Sequence, residues 1–430
     1  MRISTSQIYD AGTVGIQRGQ SSLYKLQNQL STGRKVLTPQ DDPVAAAQAL
    51  VVTQSMEVNK QYIDNQGQAK SQLSLIDGKT SSLVDSLQTV RDRIIQAGNT
   101  TLSQSDRASI ATELESRMGE MLGIANSDNG VGEHLFSGYS GNVLPFAIDG
   151  SQSPPVGSPS TTSPVAYFGD DGNRLLQVSS SRQMAISVSG SDLFQNVKNG
   201  NGTFVTGTGG NGPGINLGTG KIDPGSVLDQ QKWRGAVDSL GGQPLEIQFV
   251  SGGTQYQIFD PSSGTTTAPQ NYIKGQAIPL VTASAVDFGA QVVISGQPGD
   301  GDTFLATPST NQSVFQTMQN LVSILRTPVG TATYTSTQFT NDLRAELTNI
   351  DQALDNVSRI QSEIGTKLQE IDSLGSAATD ADVQYKANLS DLQDIDYAKT
   401  ISDFIQQQTN LEAAQKSFAQ TSGLSLFKYL

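Results

Sequence analysis

The chain has 430 residues, more than one hydrophobic core usually serves, so two or more domains are expected. Only 16% of its residues are charged against a usual ~25%, and 27 basic against 40 acidic side chains leave a net charge of −13, which argues against nucleic-acid and anionic-membrane partners. With no cysteine and one histidine, His134, the chain lacks disulfides, thiolate catalysis, Cys/His zinc sites and any triad that needs a second histidine.

Absence of cysteine fits an extracellular working place. The segment Met1-Arg-Ile-Ser-Thr-Ser-Gln7 has neither an apolar h-region nor a small-residue cleavage site, so export is expected without a cleaved signal peptide. No window of ~18 apolar residues is present, and no membrane insertion is expected.

Tyr9, Ile16, Leu23, Leu30 and Leu37 recur every seven residues, with Leu26 at an intermediate position and Gly12, Gly19 and Gly33 at others. This spacing predicts a helix with a thin, glycine-notched heptad seam. Thr38-Pro39 stops it, and Asp41-Asp42-Pro43 signals a new helical start at Val44. Leu73, Ile76, Leu83, Leu87, Val90 and Ile94 then form the cleanest stripe of this half, with Thr80 in its gap. After Gly98-Asn99, Ile110, Leu114, Met118, Met121 and Leu122 mark a further helix.

Between Gly141 and Ser309 lie 13 of the 16 prolines and 27 of the 43 glycines, which confines the helix breakers to an insert. Short runs at Leu175 to Val178, Ala185 to Val188, Leu245 to Val250, Tyr256 to Phe259 and Gln291 to Ile294 predict a small β sandwich or barrel. Ser226 to Leu240, with Trp233, is the helix-like stretch inside it, and Thr203 to Gly220 reads as a glycine-rich loop too poor in apolar residues to order itself.

On the C-terminal flank, Leu343, Leu347, Ile350, Leu354, Val357, Ile364, Leu368 and Ile371 predict one long helix, interrupted at Gly375 to Thr379. Tyr397, Ile401, Phe404, Leu411 and Phe418 form a last stripe, with Gln408 and Gln415 at intermediate sites. Stripes on both flanks need partners, so helices of the two ends are expected to pair. The fold class is an α+β multidomain chain: an elongated α-helical coiled-coil rod built from both termini, with an inserted all-β domain. Residues 1–40 and 398–430 would form a terminal coiled-coil assembly domain, 41–140 and 310–397 a helical rod domain, and 141–309 an outer β-rich domain. The assembly seam is read as Tyr9, Ile16, Leu23, Leu26, Leu30, Leu37, Tyr397, Ile401, Phe404, Leu411, Phe418 and Leu426.

No catalytic, cofactor or metal site emerges. Gly299-Asp-Gly-Asp302 lacks the distal glutamate of an EF-hand loop and reads as a turn. The acids of Asp41-Asp42 and Asp394-Ile-Asp396 sit at helix starts, where capping outweighs paired-acid hydrolysis. Gly207 to Gly220 lacks the Gly-Lys-Ser/Thr ending of a phosphate loop, and His134 reads as a junction-packing or exposed residue.

Five segments resemble the flagellar hook-associated protein 3 family, relatives of flagellin: Met1 to Gln7; Gln29-Leu-Ser-Thr-Gly-Arg-Lys-Val-Leu37 running into Pro39-Gln-Asp-Asp-Pro-Val-Ala-Ala-Ala47; Gly132-Glu-His-Leu-Phe-Ser-Gly-Tyr139; Ser390-Asp-Leu-Gln-Asp-Ile-Asp-Tyr-Ala398; and Leu424 to Leu430. His134 stands where relatives often have an aromatic residue. The resemblance implies a non-enzymatic structural adaptor with a flagellin-like fold, joining the hook side to the flagellin filament after flagellar type III export. It implies as partners the chain itself, as a ring at the junction, a hook-associated protein 1 type subunit, flagellin, and an export chaperone at the C-terminal helix. Its rivals are a flagellin-type filament subunit and an extracellular glycan-binding or hydrolytic protein with a helical stalk, for which a cleft around Trp233 would be the mark.

Overall fold

A computed structural model describes residues 5–99, 101–148, 163–209 and 216–423. The helices among them are α1 (Thr5–Thr32), α2 (Pro43–Ala97), α3 (Gln104–Ala125), α4 (Gln230–Ala236), α5 (Val314–Arg326), α6 (Ser336–Gln393) and α7 (Tyr397–Gly423). Two compact units are present: one of Met1–Gly67, Val178–Ser181 and Asp372–Leu430, the other of Gln68–Gln177 and Arg182–Ile371.

In the first unit α1 packs on α7, and the start of α2 packs on the end of α6. Asn59 Nδ2 donates to the Ala378 carbonyl at 2.7 Å, a contact that the small side chains around Ala378 allow. Gln66 Nε2 holds the turn at Val178–Ser181 by donating to the Val178 carbonyl, also at 2.7 Å.

In the second unit the predicted stripe is the core: Leu73, Ile76, Leu83, Leu87 and Val90 are fully buried, as is Thr80, whose hydroxyl donates to the Asp77 carbonyl one turn back in the same helix. α3 starts with a capping box, Ser103 and Asp106 each accepting from the other's backbone amide. Phe136, Phe146, Phe194 and Phe315 pack with ring centroids 5.2 to 5.8 Å apart, which ties the Leu-Phe-Ser-Gly segment to α5.

The β-rich part holds a six-stranded antiparallel sheet in the order Thr265–Thr266, Gln255–Asp260, Leu245–Val250, Thr303–Pro308, Phe204–Thr208, with Gln270–Asn271 also paired to Gln255–Asp260. A four-stranded antiparallel sheet centres on Asp287–Ser295, flanked by Ala277–Val281, Lys221–Ile222 and Ser226–Val227. Both sheets contribute to one core with Trp233 of α4 inside it, stacked on Phe204 at 5.1 Å and edge-on to Phe288 at 5.7 Å. Alternation is regular: Leu245, Ile247 and Phe249 face the core and their neighbours do not.

Several expectations are corrected. No interruption occurs at Gly375 to Thr379, because α6 runs through it with the Thr379 hydroxyl on the Gly375 carbonyl and Ala378 buried. The strand expected at Ala185 to Val188 is Arg182–Ala185, since a tight turn after Leu175–Ser179 begins it earlier. Beyond Ala185 the buried side chains of Ser187 and Ser189 turn to Arg174 N and Asp171 instead. Phe204–Thr208, expected as loop, is a strand, because Phe204 enters the core and drags its neighbours into register with Thr303–Pro308. The helix expected from Ser226 begins only at Gln230, where the Asp229 carboxylate accepts from Gln231 N and Lys232 N, while Ser226–Val227 is already paired in the sheet.

Candidate assembly interface

The glycine notches are where α1 and α7 meet. Positions 12, 19 and 33 face Phe418, Leu411 and Tyr397 in turn, so the two helices run antiparallel. A Cβ on Gly12 would lie 2.5 Å from the Phe418 ring, and one on Gly19 would lie 3.0 Å from Leu411 Cδ1. Tyr9 completes the contact, its ring centroid 4.8 Å from that of Phe418. Bare backbone at these points admits an aromatic ring that any side chain would hold off.

The end of α1 is locked to the start of α7. Gly33 adopts φ +71°, the left-handed residue that ends the helix, and donates to the Gln29 carbonyl at 2.8 Å. Lys35 N donates to the Gln393 carbonyl at 2.7 Å and Ile395 N to the Gly33 carbonyl at 3.1 Å, with Arg34 and Asp394 in an antiparallel bridge. Lys35 Nζ reaches the Asp391 carbonyl at 2.7 Å. Asp41 accepts from Leu37 N and Thr38 N and pairs with Lys25 at 2.6 Å; the Lys25 ammonium first, then the backbone amides, hold its carboxyl down to about 2. Asp42 accepts from Val44 N and Ala45 N at the start of α2, and Asp396 from Lys399 N at the start of α7, so these acids are spent on helix starts.

Of the predicted seam, the structure brings Tyr9 and Phe418 into ring contact and places Leu411 over Gly19. Ile16, Leu23, Leu26, Leu30, Leu37 and Phe404 are half-buried, whereas Tyr9, Tyr397 and Ile401 are about half exposed, at 53%, 55% and 46%. Leu426 lies outside the described residues. A seven-residue reading missed a second set on the same unit: Val14, Tyr24, Leu50, Val51 and Ile405 are also exposed. These apolar side chains off the repeat were the signal available for them. Val14 and Tyr24 lie on α1, Ile405 on α7, and Leu50 and Val51 on α2.

Elsewhere the chemistry is structural. Trp233 is 4% exposed, so no aromatic platform opens to a sugar around it. Asp302 is buried and accepts from Leu217 N, Gly218 N and Gly299 N, as a turn requires. His134 Nδ1 lies 2.9 Å from the Asn126 carbonyl at a chain junction. Among the described residues no three potential ligands gather into a metal site, and no helix is long and apolar enough to cross a membrane.

Both flanks match profiles of bacterial flagellin, the N-terminal helical region over residues 3–141 and the C-terminal helical region over residues 347–430. The chain is therefore a flagellin-class subunit, with paired helical ends around a β-rich insert. Flagellar hook-associated protein 3 of Salmonella typhimurium is 25% identical over 100% of this chain and 99% of its own length. The crystal structure of the flagellar junction protein FlgL from Legionella pneumophila superposes with a TM-score of 0.66 at 26% identity, covering 81% of this chain and 100% of that one. Flagellin of Escherichia coli, 25% identical, aligns with only 55% of this chain. Within its class, the chain belongs to the hook-associated protein 3 family.

Proposed function

We propose that this chain is a non-enzymatic structural adaptor of the bacterial flagellum that joins the hook side to the flagellin filament. The observation that carries the reading is the α1–α7 seam: glycine notches close it within one subunit while Tyr9, Val14, Tyr24, Ile401 and Ile405 remain exposed for neighbours. The full-length similarity to hook-associated protein 3, against a partial one to flagellin, supports the junction over the filament body. Most helical stability in proteins comes from packing of an apolar face, so burial supplied by neighbouring subunits would couple ordering to assembly.

In this reading residues 1–40 and 398–430 polymerise as a ring, 41–140 and 310–397 form the helical domain, and 141–309 form the outer β-rich domain. One side of the ring meets a hook-associated protein 1 type subunit and the other meets flagellin. A flagellar export chaperone covers α7 until the type III apparatus delivers the chain, uncleaved, to the cell exterior. Imaging flagella from cells that lack the chain tests the whole: hooks without filaments are expected, and normal filaments would overturn it.

A further inference from the structure

Two carboxyls lie one turn apart on α6, on the face that meets the β-rich insert. Glu346 is only 7% exposed, and its carboxyl accepts from Asn320 Nδ2 of α5 at 2.8 Å, Asn349 Nδ2 of α6 at 2.9 Å and Gln312 Nε2 of strand Asn311–Gln312 at 3.3 Å. Asp342 accepts from the Tyr334 hydroxyl at 2.9 Å. No cation forms a described hydrogen bond or ion pair with either carboxyl. On the packed elements, α5 carries only Arg326, paired with Glu115; Lys198, on the strand beside Asn311–Gln312, is exposed; Lys221 is the half-buried neighbour of Ile222 on the strand that Asn341 holds; Arg107 of α3 lies over the Phe339 ring and donates to the Leu102 carbonyl; and Arg344, between the two acids, is exposed.

The same face grips the insert. Asn349 Oδ1 accepts from Gly200 N at 2.8 Å, and Asn341 both accepts from Ile222 N and donates to the Gly220 carbonyl, each at 3.2 Å. Asn349 thus connects Glu346 directly to the Gly200 loop.

We infer that Asp342 and Glu346 form a proton-operated latch: protons on the pair keep α6 closed on the edge of the insert, and their loss loosens the Gly200 loop and the Gln312 strand. Ionising both puts like charges one helical turn apart, Glu346 out of water and Asp342 half-buried, with only neutral donors to answer them. Burial accordingly raises Glu346 to about 7 and Asp342 to about 6. A raised carboxyl binds its proton more tightly folded than unfolded, so this contribution is full below the ordinary carboxylate range and is lost as pH rises through 6 and 7.

The test is a melting series of the full chain from pH 5 to pH 8, with amide exchange at Gly200 corrected for its intrinsic pH dependence. The melting transition should fall by several degrees across that range, and Gly200 protection should drop on the order of tenfold, the effect of one unit of differential proton binding. Glu346→Gln should remove much of the slope, while Asp355→Asn, exposed on the same helix, should leave it intact. If Glu346→Gln fails to fold, Asp342→Asn carries the same measurement. A slope unchanged in both variants, or a wild-type transition that rises towards pH 8, overturns the latch.

Discussion

The Phe418 ring lies directly over Gly12, where a Cβ would meet it at 2.5 Å. Gly15, one turn further along α1, has nothing within 4 Å of its own Cβ position. Two glycines of one helix thus answer opposite demands, and they yield a paired prediction.

Gly15→Ala should stabilise α1 by up to about 1 kcal/mol through helix propensity alone. Gly12→Ala gains the same propensity but must displace Phe418 from Tyr9, at about 1–3 kcal/mol for an overpacked contact, so it should come out destabilising. Amide exchange along α1 reads both. Equal behaviour of the two variants would mean the notch is not a contact.

Truncation after Asp403 removes Phe404, Leu411 and Phe418, each worth roughly 1.5–3 kcal/mol when buried. The unit built from Gln68–Gln177 and Arg182–Ile371 shares none of these contacts, so its melting transition should stay in place. Filament growth in cells exporting the truncated chain should stop. Full-length filaments would sink the seam as an assembly surface.

Trp233→Ala should cost about 3–5 kcal/mol, because it empties the space between Phe204 and Phe288 in a shared core. Urea denaturation followed on the β-rich part measures it. A loss near zero would place Trp233 at a surface.

Asp41 gives a pH signature at the acid end. Its carboxyl is held at about 2, chiefly by Lys25, so the hold on Leu37 and Thr38 is complete above the ordinary carboxylate range and lost only as pH falls through 2. Protease clipping within residues 33–42 should remain slow at pH 3 and become fast in Asp41→Asn. Fast clipping of the parent protein at pH 3 would contradict the assignment.

How far the fold was legible follows from which signals are local. The Tyr9 to Leu37 heptad and the Leu73 to Ile94 stripe announce themselves through spacing, as do the caps at Asp42 and Asp396. α5 was passed over although Val314, Phe315, Met318, Leu321, Val322 and Leu325 keep helical spacing; what the spacing could not show is that Thr317 and Asn320 are buried beside them. Phe204–Thr208 was hidden by Gly207, whose tolerance in a strand depends on Thr303–Pro308, about a hundred residues away. Nothing in local spacing marks Asn341, Glu346 and Asn349, because the partners of Asn341 and Asn349 come from the insert and those of Glu346 from α5, Gln312 and Asn349 itself. The exposed flank of the seam was half legible, since a strict seven-residue repeat selects one line of contacts and passes over Val14, Tyr24 and Ile405.

The backbone bonds between residues 33–35 and 393–395 bear on how force passes through the subunit. Two crossings of the chain, one leaving α1 and one entering α7, are stitched edge to edge into a short two-ply strap. A pull or a twist applied to the paired termini is therefore shared between both plies. Neither helix can swing at its crossing without carrying the other, and a nick in one ply leaves the load on its neighbour.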